Sequence, residues 1–356
     1  MSALDATVDG RSVIVCCGSG GVGKTTTAAA LGVAAALRGR RACVLTIDPA
    51  RRLADALGAT GVGNAPHEIV GPWPGRLDVV MLDAKTTFDE LVAAYARDPE
   101  QRARILANRL YRNLASLLSG TQEYMATEKL FELHETGAYD LIVVDTPPTR
   151  HALEFLNAPR RLTSLLDNRI FKVFVAPGTS YLRAANLAGQ LLARSIARVA
   201  GAEIVDDTLA FFGAFQGMEQ GFRERADRVG RLLAEERTGF VLVATPRREA
   251  IDDARFFLDE LARRDGTIDA LVVNRVQPAF GTAPGAEAAA RGPRGEAWRA
   301  LAGNLAELTA VAEREAGFLA DLVAAAGPAP VVRIPFLDAD VHDLEGLLAV
   351  VRHLIG

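Results

Sequence analysis

The stretch "CCGSGGVGKTTTAAALG" (residues 16–32) decides the fold. Gly18 through Thr25 match G-x-x-x-x-G-K-[ST], after the apolar run "SVIVCC" (12–17) and before an alanine-rich helical segment. A strand, a glycine loop and a helix in that order make a phosphate cradle. Gly20, Gly21 and Gly23, with Val22 among them, let the backbone close on a phosphate. The N–H groups of the loop and of Thr25 and Thr26 at the helix start point inward. Lys24 adds a compact charge for the β- and γ-phosphates, and the Thr25 hydroxyl suits Mg²⁺. Glycine-rich turns between strand and helix also occur for packing alone. Composition argues against that here, because Lys24 is one of four lysines among forty basic residues.

Further short apolar runs follow: "ACVLTID" (42–48), "LDVVMLD" (77–83), "DLIVVDT" (140–146), "FVLVAT" (240–245), "ALVVNRV" (270–276) and "VVRIP" (331–335). Near-continuous apolar strands separated by helical segments predict an α/β fold, a doubly wound, mostly parallel sheet of seven to eight strands. Ligands of such sheets collect beyond the carboxyl ends of the strands, where Asp48, Asp83 and Asp145 fall. Asp145 is placed to hold Mg²⁺ through a water, and Asp48 to orient an attacking water. Each is equally a residue that caps a helix. Lys24, Asp48 and Asp145 form the candidate catalytic set. No lysine follows Asn or Thr, so the N-K-x-D turn that reads guanine is missing. Asn274 is the candidate to present its amide to adenine, and ATP is favoured over GTP.

The chain reads as one ATPase domain over 1–356, with a core at about 10–83, 138–150 and 238–356. Residues 84–137 and 151–237 are too long for simple crossovers and read as an inserted α-helical subdomain. Within it, Phe211, Phe215, Met218 and Phe222 form one stripe of a helix spanning 208–236. Gly213, Gly217 and Gly221 recur every four residues and would let a second helix approach. The stripe is either a face for a client helix or the insert's own core, and aromatic stripes are usually core. "AFGTAPGAEAAARGPRGE" (279–296) reads as a mobile loop.

Forty basic against forty-four acidic residues, a net charge of −4, argue against a nucleic-acid surface. No run of eighteen apolar residues is present to span a membrane. The first residues lack the grammar of a signal peptide, so a cytoplasmic location is expected. Cys16, Cys17 and Cys43 fall in predicted buried strands without a C-x-x-C, so neither zinc nor an iron–sulfur cluster is expected. His67, His134, His151, His342 and His353 are dispersed.

"GSGGVGKTTTAAALG", "TIDPARRLADALG", "DTPPTRHALEFLNAP", "VNRV" and "IPFLDADVHDLEGL" together resemble the arsenical-pump ATPase and the ATPase that delivers tail-anchored membrane proteins. The resemblance covers nearly the whole chain and is close to bacterial anion-transporting ATPases of unassigned cargo. It implies a Mg²⁺-dependent ATPase that dimerises face to face around two ATPs and moves its helical part on hydrolysis. By position it implies phosphate binding by residues 20–26, Mg²⁺ at Thr25 and Asp145, and water positioning by Asp48. It also implies a second switch starting at Asp145, and adenine held by Asn274 with Pro335 and Phe336.

Two departures qualify it. The family's loop usually reads G-K-G-G-V-G-K-T, with the first lysine reaching the partner's phosphates, and here Ser19 stands in its place. Either another cation substitutes, with Arg51 and Arg52 nearest in sequence, or a different subunit supplies it, or hydrolysis is slow. The family's zinc-binding C-x-x-C and arsenite thiols are also missing, since no cysteine follows Cys43. Arsenite held by cysteine is therefore excluded on this reading. The expected partners are a second copy or a paralogous ATPase, with a protein or hydrophobic client at the helical subdomain. The rival reading is a weakly active nucleotide-binding scaffold subunit that pairs with a paralogous ATPase. A partition or cell-division ATPase fits less well, because those chains lack the long insert.

Overall fold

Runs of five to seven aliphatic residues form strands, and where nearly every position is apolar both faces must be covered. The computed structural model of the chain describes residues 4–48, 52–109, 111, 121–168, 210–211, 214–281 and 295–355. Arg51, Gly213 and most of the 279–296 loop lie outside the described residues, as do 169–209 of the insert and the side chains of Arg52 and His151. The strands are β1 (Val13–Cys17), β2 (Arg41–Thr46), β3 (His67–Ile69), β4 (Arg76–Met81), β5 (Leu141–Asp145), β6 (Thr238–Ala244), β7 (Ala270–Val276) and β8 (Val331–Pro335). They form one sheet in the order β3-β4-β2-β5-β1-β6-β7-β8. All neighbours are parallel except β3 and β4. The antiparallel edge strand β3 is a finding of the structure, since three residues are too short to show a period.

Helices cover both faces: α1 (Asp5–Gly10), α2 (Lys24–Leu37), α3 (Arg52–Ala56), α4 (Ala84–Tyr95), α5 (Pro99–Ala107), α6 (Thr121–Glu135), α7 (Thr149–Asp167), α8 (Glu219–Ala234), α9 (Arg248–Ala262), α10 (Gly295–Ala325) and α11 (Leu344–Leu354). The small residues of α2 bring its axis close to the sheet, and a Cβ on Gly32 would meet Val44 at 2.4 Å. With Leu347 and Val351 of α11, this helix seals one face over Val44, Val143 and Val241. The other face lies under α6, α7, α8 and α9, through Leu130, Phe155, Val229 and Phe257. Asp83, at the strand rim, caps α4 by accepting from the Thr86 N–H at 2.7 Å. Among the described residues no helix is long and apolar enough to cross a membrane.

A third apolar cluster lies among the helices. Phe211, Phe215, Met218 and Phe222 are each at most 6% exposed and pack with Leu91, Val92, Ile105 and Tyr111. Phe222 touches Phe215 and Tyr95, with ring centroids 4.9 and 5.4 Å apart. The stripe is therefore core. The single helix expected over 208–236 is corrected: the chain turns at Gly217 (φ +85), and α8 starts at Glu219. A Cβ on Gly217 would strike the Arg97 guanidinium at 2.6 Å, which holds the turn to glycine. Gly221 allows the close approach expected of it, since a Cβ there would meet the Tyr95 ring of α4 at 2.3 Å. Phe222→Ala should cost about 3–5 kcal/mol of unfolding free energy in urea. A stripe that stood free for a client would show no such loss.

Candidate active site

The loop after β1 owes its shape to three left-handed glycines. Gly18 (φ +153) passes under β6, where a Cβ would lie 2.2 Å from the Val243 carbonyl oxygen. Gly21 (φ +75) and Gly23 (φ +99) turn the backbone into α2, and a Cβ on Gly23 would fall 2.2 Å from Asn274 Nδ2. Lys24 is the first residue of α2 and doubles back, its Nζ donating to the Ser19 carbonyl at 2.8 Å. Burial pushes its pKa down, while the Asp145 carboxylate pulls it up.

Asp145 ends β5 beside both β1 and β2. Its Oδ2 accepts from the hydroxyls of Thr25 (2.8 Å) and Thr46 (2.9 Å). Its Oδ1 is buried without a hydrogen-bond partner. Burial raises the carboxyl pKa to about 6, against the opposing pull of the two hydroxyls. An unpaired buried carboxylate oxygen is costly. A hydroxyl beside a carboxylate is the hard oxygen donor set that Mg²⁺ takes, so Thr25 and Asp145 fit that ion.

Asp48 follows β2, its N–H donating to Thr46 Oγ1 at 3.2 Å. It lines a cleft of about 810 Å³ with Gly20, Gly21, Gly23, Lys24, Thr25 and Thr26. The sequence reading missed several residues of this cleft. Gln122 and Glu123 enter from the start of α6, and Gln122 Nε2 donates to the Ile47 carbonyl at 3.1 Å. Arg275, Val341 and His342 line the opposite side. Only Arg275 carried a signal, its place beside Asn274.

The adenine candidates sit apart from one another. Asn274 stands behind the loop, donating through Nδ2 to the Val22 carbonyl at 2.9 Å. Pro335 lines a separate apolar cleft of about 510 Å³ with Val276, Ala316 and Leu319. Phe336 is 62% exposed, and its N–H donates to the Val276 carbonyl at 2.8 Å.

A mostly parallel sheet with a glycine phosphate loop, an invading lysine and an aspartate on the adjacent strand defines a P-loop nucleoside triphosphatase. Residues 11–284 match the family of anion-transporting ATPases, and the chain belongs to that family of ATP hydrolases. It is 27% identical over 263 residues to the ATPase GET3 of Malassezia globosa, covering 74% of this chain and 72% of that one. It is 32% identical over 262 residues to the uncharacterized protein SCO2128 of Streptomyces coelicolor, covering 73% and 61%. An ATPase ASNA1 homolog of Cryptosporidium parvum is 26% identical over 260 residues, covering 73% and 63%. The family binds ATP with Mg²⁺.

Asp145 gives a pH signature. Its folded pKa of about 6 lies above the usual carboxylate value, so the folded chain holds the proton more tightly and ionisation favours unfolding. The stabilising contribution is complete below about pH 4 and is lost as pH rises through about 6, by up to roughly 3 kcal/mol. In EDTA without nucleotide, Asp145→Asn should therefore gain melting temperature relative to the parent between about pH 4 and 6.5. A constant difference between the two melting curves would remove the assignment.

Proposed function

We propose that the chain is a Mg²⁺-dependent ATPase in which ATP binding and hydrolysis drive a conformational change of the helical subdomain (84–137 and 151–237), which engages a protein or hydrophobic cargo. Lys24 and the loop from Gly20 to Thr26 hold the phosphates. Thr25 would hold Mg²⁺ through its hydroxyl, with Asp145 holding it through a water. The ion supplies charge neutralisation on the β- and γ-phosphates. Asp48 orients the attacking water, and Asn274, Pro335 and Phe336, apart in this structure, are the proposed adenine contacts that would have to come together on the nucleotide. The working unit is a cytoplasmic dimer, either of two copies or with a paralogous ATPase.

The observation that carries the coupling is the hydrogen bond from Gln122 to the Ile47 carbonyl. It ties the first turn of a helix in the insert to the residue before Asp48. Leu130 and Phe131 of the same helix pack on the sheet, and Tyr124 and Met125 pack in the helical cluster. Since the Phe211 stripe belongs to that cluster, opening of the insert is what offers it to a client. Arsenite is not the cargo on this reading. Cys16, Cys17 and Cys43 are buried strand residues whose thiols burial pushes up, Cys17 to about 12, so no thiolate is at hand. The uncharged Ser19 favours a second reading, a weakly active scaffold subunit that completes a paralogous ATPase.

Gln122→Ala should bind Mg·ATP within about twofold of the parent yet turn over about tenfold more slowly, a loss of order one hydrogen bond. Deuterium exchange in residues 84–135 should then no longer respond to nucleotide. Unchanged turnover and an intact exchange response would separate the insert from the ATP cycle. The nucleotide reading itself is lost if Lys24→Ala keeps full calorimetric affinity for Mg·ATP.

A further inference from the structure

Strand order gives the cleft two ends. β5 and β2 lie on one side of β1, and they carry Asp145 and Asp48. On the other side lie β7, which carries Arg275, and β8, which precedes Val341 and His342. With the metal ligands at the first end, the nucleoside of a bound nucleotide extends toward the second. Among the described residues lining the cleft, Lys24 and Arg275 are the lysines and arginines, and they come from different strands' ends, after β1 and within β7.

Arg275 is aimed by an unusual stretch of backbone. One extra residue in β7 breaks the register with β8 between Val273 and Val276. Arg275 takes a left-handed conformation there (φ +59), which a side chain adopts only under constraint from its surroundings. The constraint is Asn274, whose Oδ1 accepts from the Arg275 N–H at 2.9 Å while its Nδ2 grips the Val22 carbonyl. Bulge and bracket together turn the Arg275 side chain back across the phosphate loop, where Nη1 donates to the Gly21 carbonyl at 3.3 Å. No carboxylate pairs with the guanidinium among the described residues, and Arg275 is exposed where it lines the cleft.

A flat, delocalised cation held in this way is a stacking surface for a heterocycle. We propose that Arg275 packs its guanidinium plane against the purine ring of the nucleotide and sets the site's preference for a large base, rather than serving as a second phosphate cation. The inference rests on the nucleotide reading above and adds the residue that holds the base.

The test compares calorimetric binding of Mg·ATP, Mg·ADP and base-free inorganic tripolyphosphate to the full chain. Arg275→Gly relieves the left-handed backbone, so it should melt no lower than the parent, which separates binding from folding. It should nevertheless lose about tenfold in affinity for ATP and ADP alike, a typical cost of one lost base stack. Its affinity for tripolyphosphate should be unchanged. Arg275→Lys keeps the charge without the plane and should fall between the two. An equal loss for tripolyphosphate overturns the proposal in favour of a phosphate contact, and unchanged ATP affinity overturns it outright. Lys24→Ala, assayed alongside, should lose ATP and tripolyphosphate together. That control keeps failure of the stacking role distinct from failure of the nucleotide reading.

Discussion

One oxygen atom, Oδ2 of Asp145, receives hydroxyl bonds from Thr25 on α2 and Thr46 on β2. Three segments of the nucleotide machinery meet at that atom, and each reaches it from the carboxyl end of a neighbouring strand. Parallel pairing makes the meeting possible, because β2, β5 and β1 all end on the same side. The other carboxylate oxygen, buried without a partner, is held at a cost that a bound cation would offset. Burial disfavours the charged form of this carboxyl and raises its pKa to about 6.

From that atom the chain of contacts runs outward without a gap. Thr46 Oγ1 accepts from the N–H of Asp48, and between the two lies Ile47, whose carbonyl takes the bond from Gln122. A buried pair of Arg225 and Glu128, 2.8 Å apart, ties α8 to α6, and Tyr124 donates to the same Glu128 at 2.7 Å. Removing one member of such a pair leaves a buried charge uncompensated, so the pair holds α6 against α8.

The sheet and the phosphate loop were legible because both rest on local pattern. Continuous apolar runs mark strands wherever both faces are covered, and the glycine loop can only follow β1 and precede α2. The aspartates at the rim were legible as a set but not in their roles, since Asp83 caps a helix while Asp145 gathers two hydroxyls. Period alone misread the stripe at 211–222 as one helix, because nothing local distinguishes Gly217 in a turn from Gly217 in a helix. Its left-handed backbone (φ +85) sits beside the Arg97 guanidinium, far away in sequence. Gln122 escaped for the same reason, and Arg275 had only its place beside Asn274 to mark it. Each acts through a contact with a backbone carbonyl of a distant loop, and no spacing announces such a partner.

Ser19 shows how the loop works with a single lysine. The Lys24 ammonium rests on the Ser19 carbonyl, a neutral acceptor, in a setting where burial already lowers its pKa. A phosphate oxygen is a charged acceptor, and charge-assisted bonds are roughly twice as strong as neutral ones. Phosphate binding at Lys24, as proposed, would exchange this neutral partner for a charged one. Within the chain the desolvation of this cation is met by the Ser19 carbonyl and by the attraction of the Asp145 carboxylate.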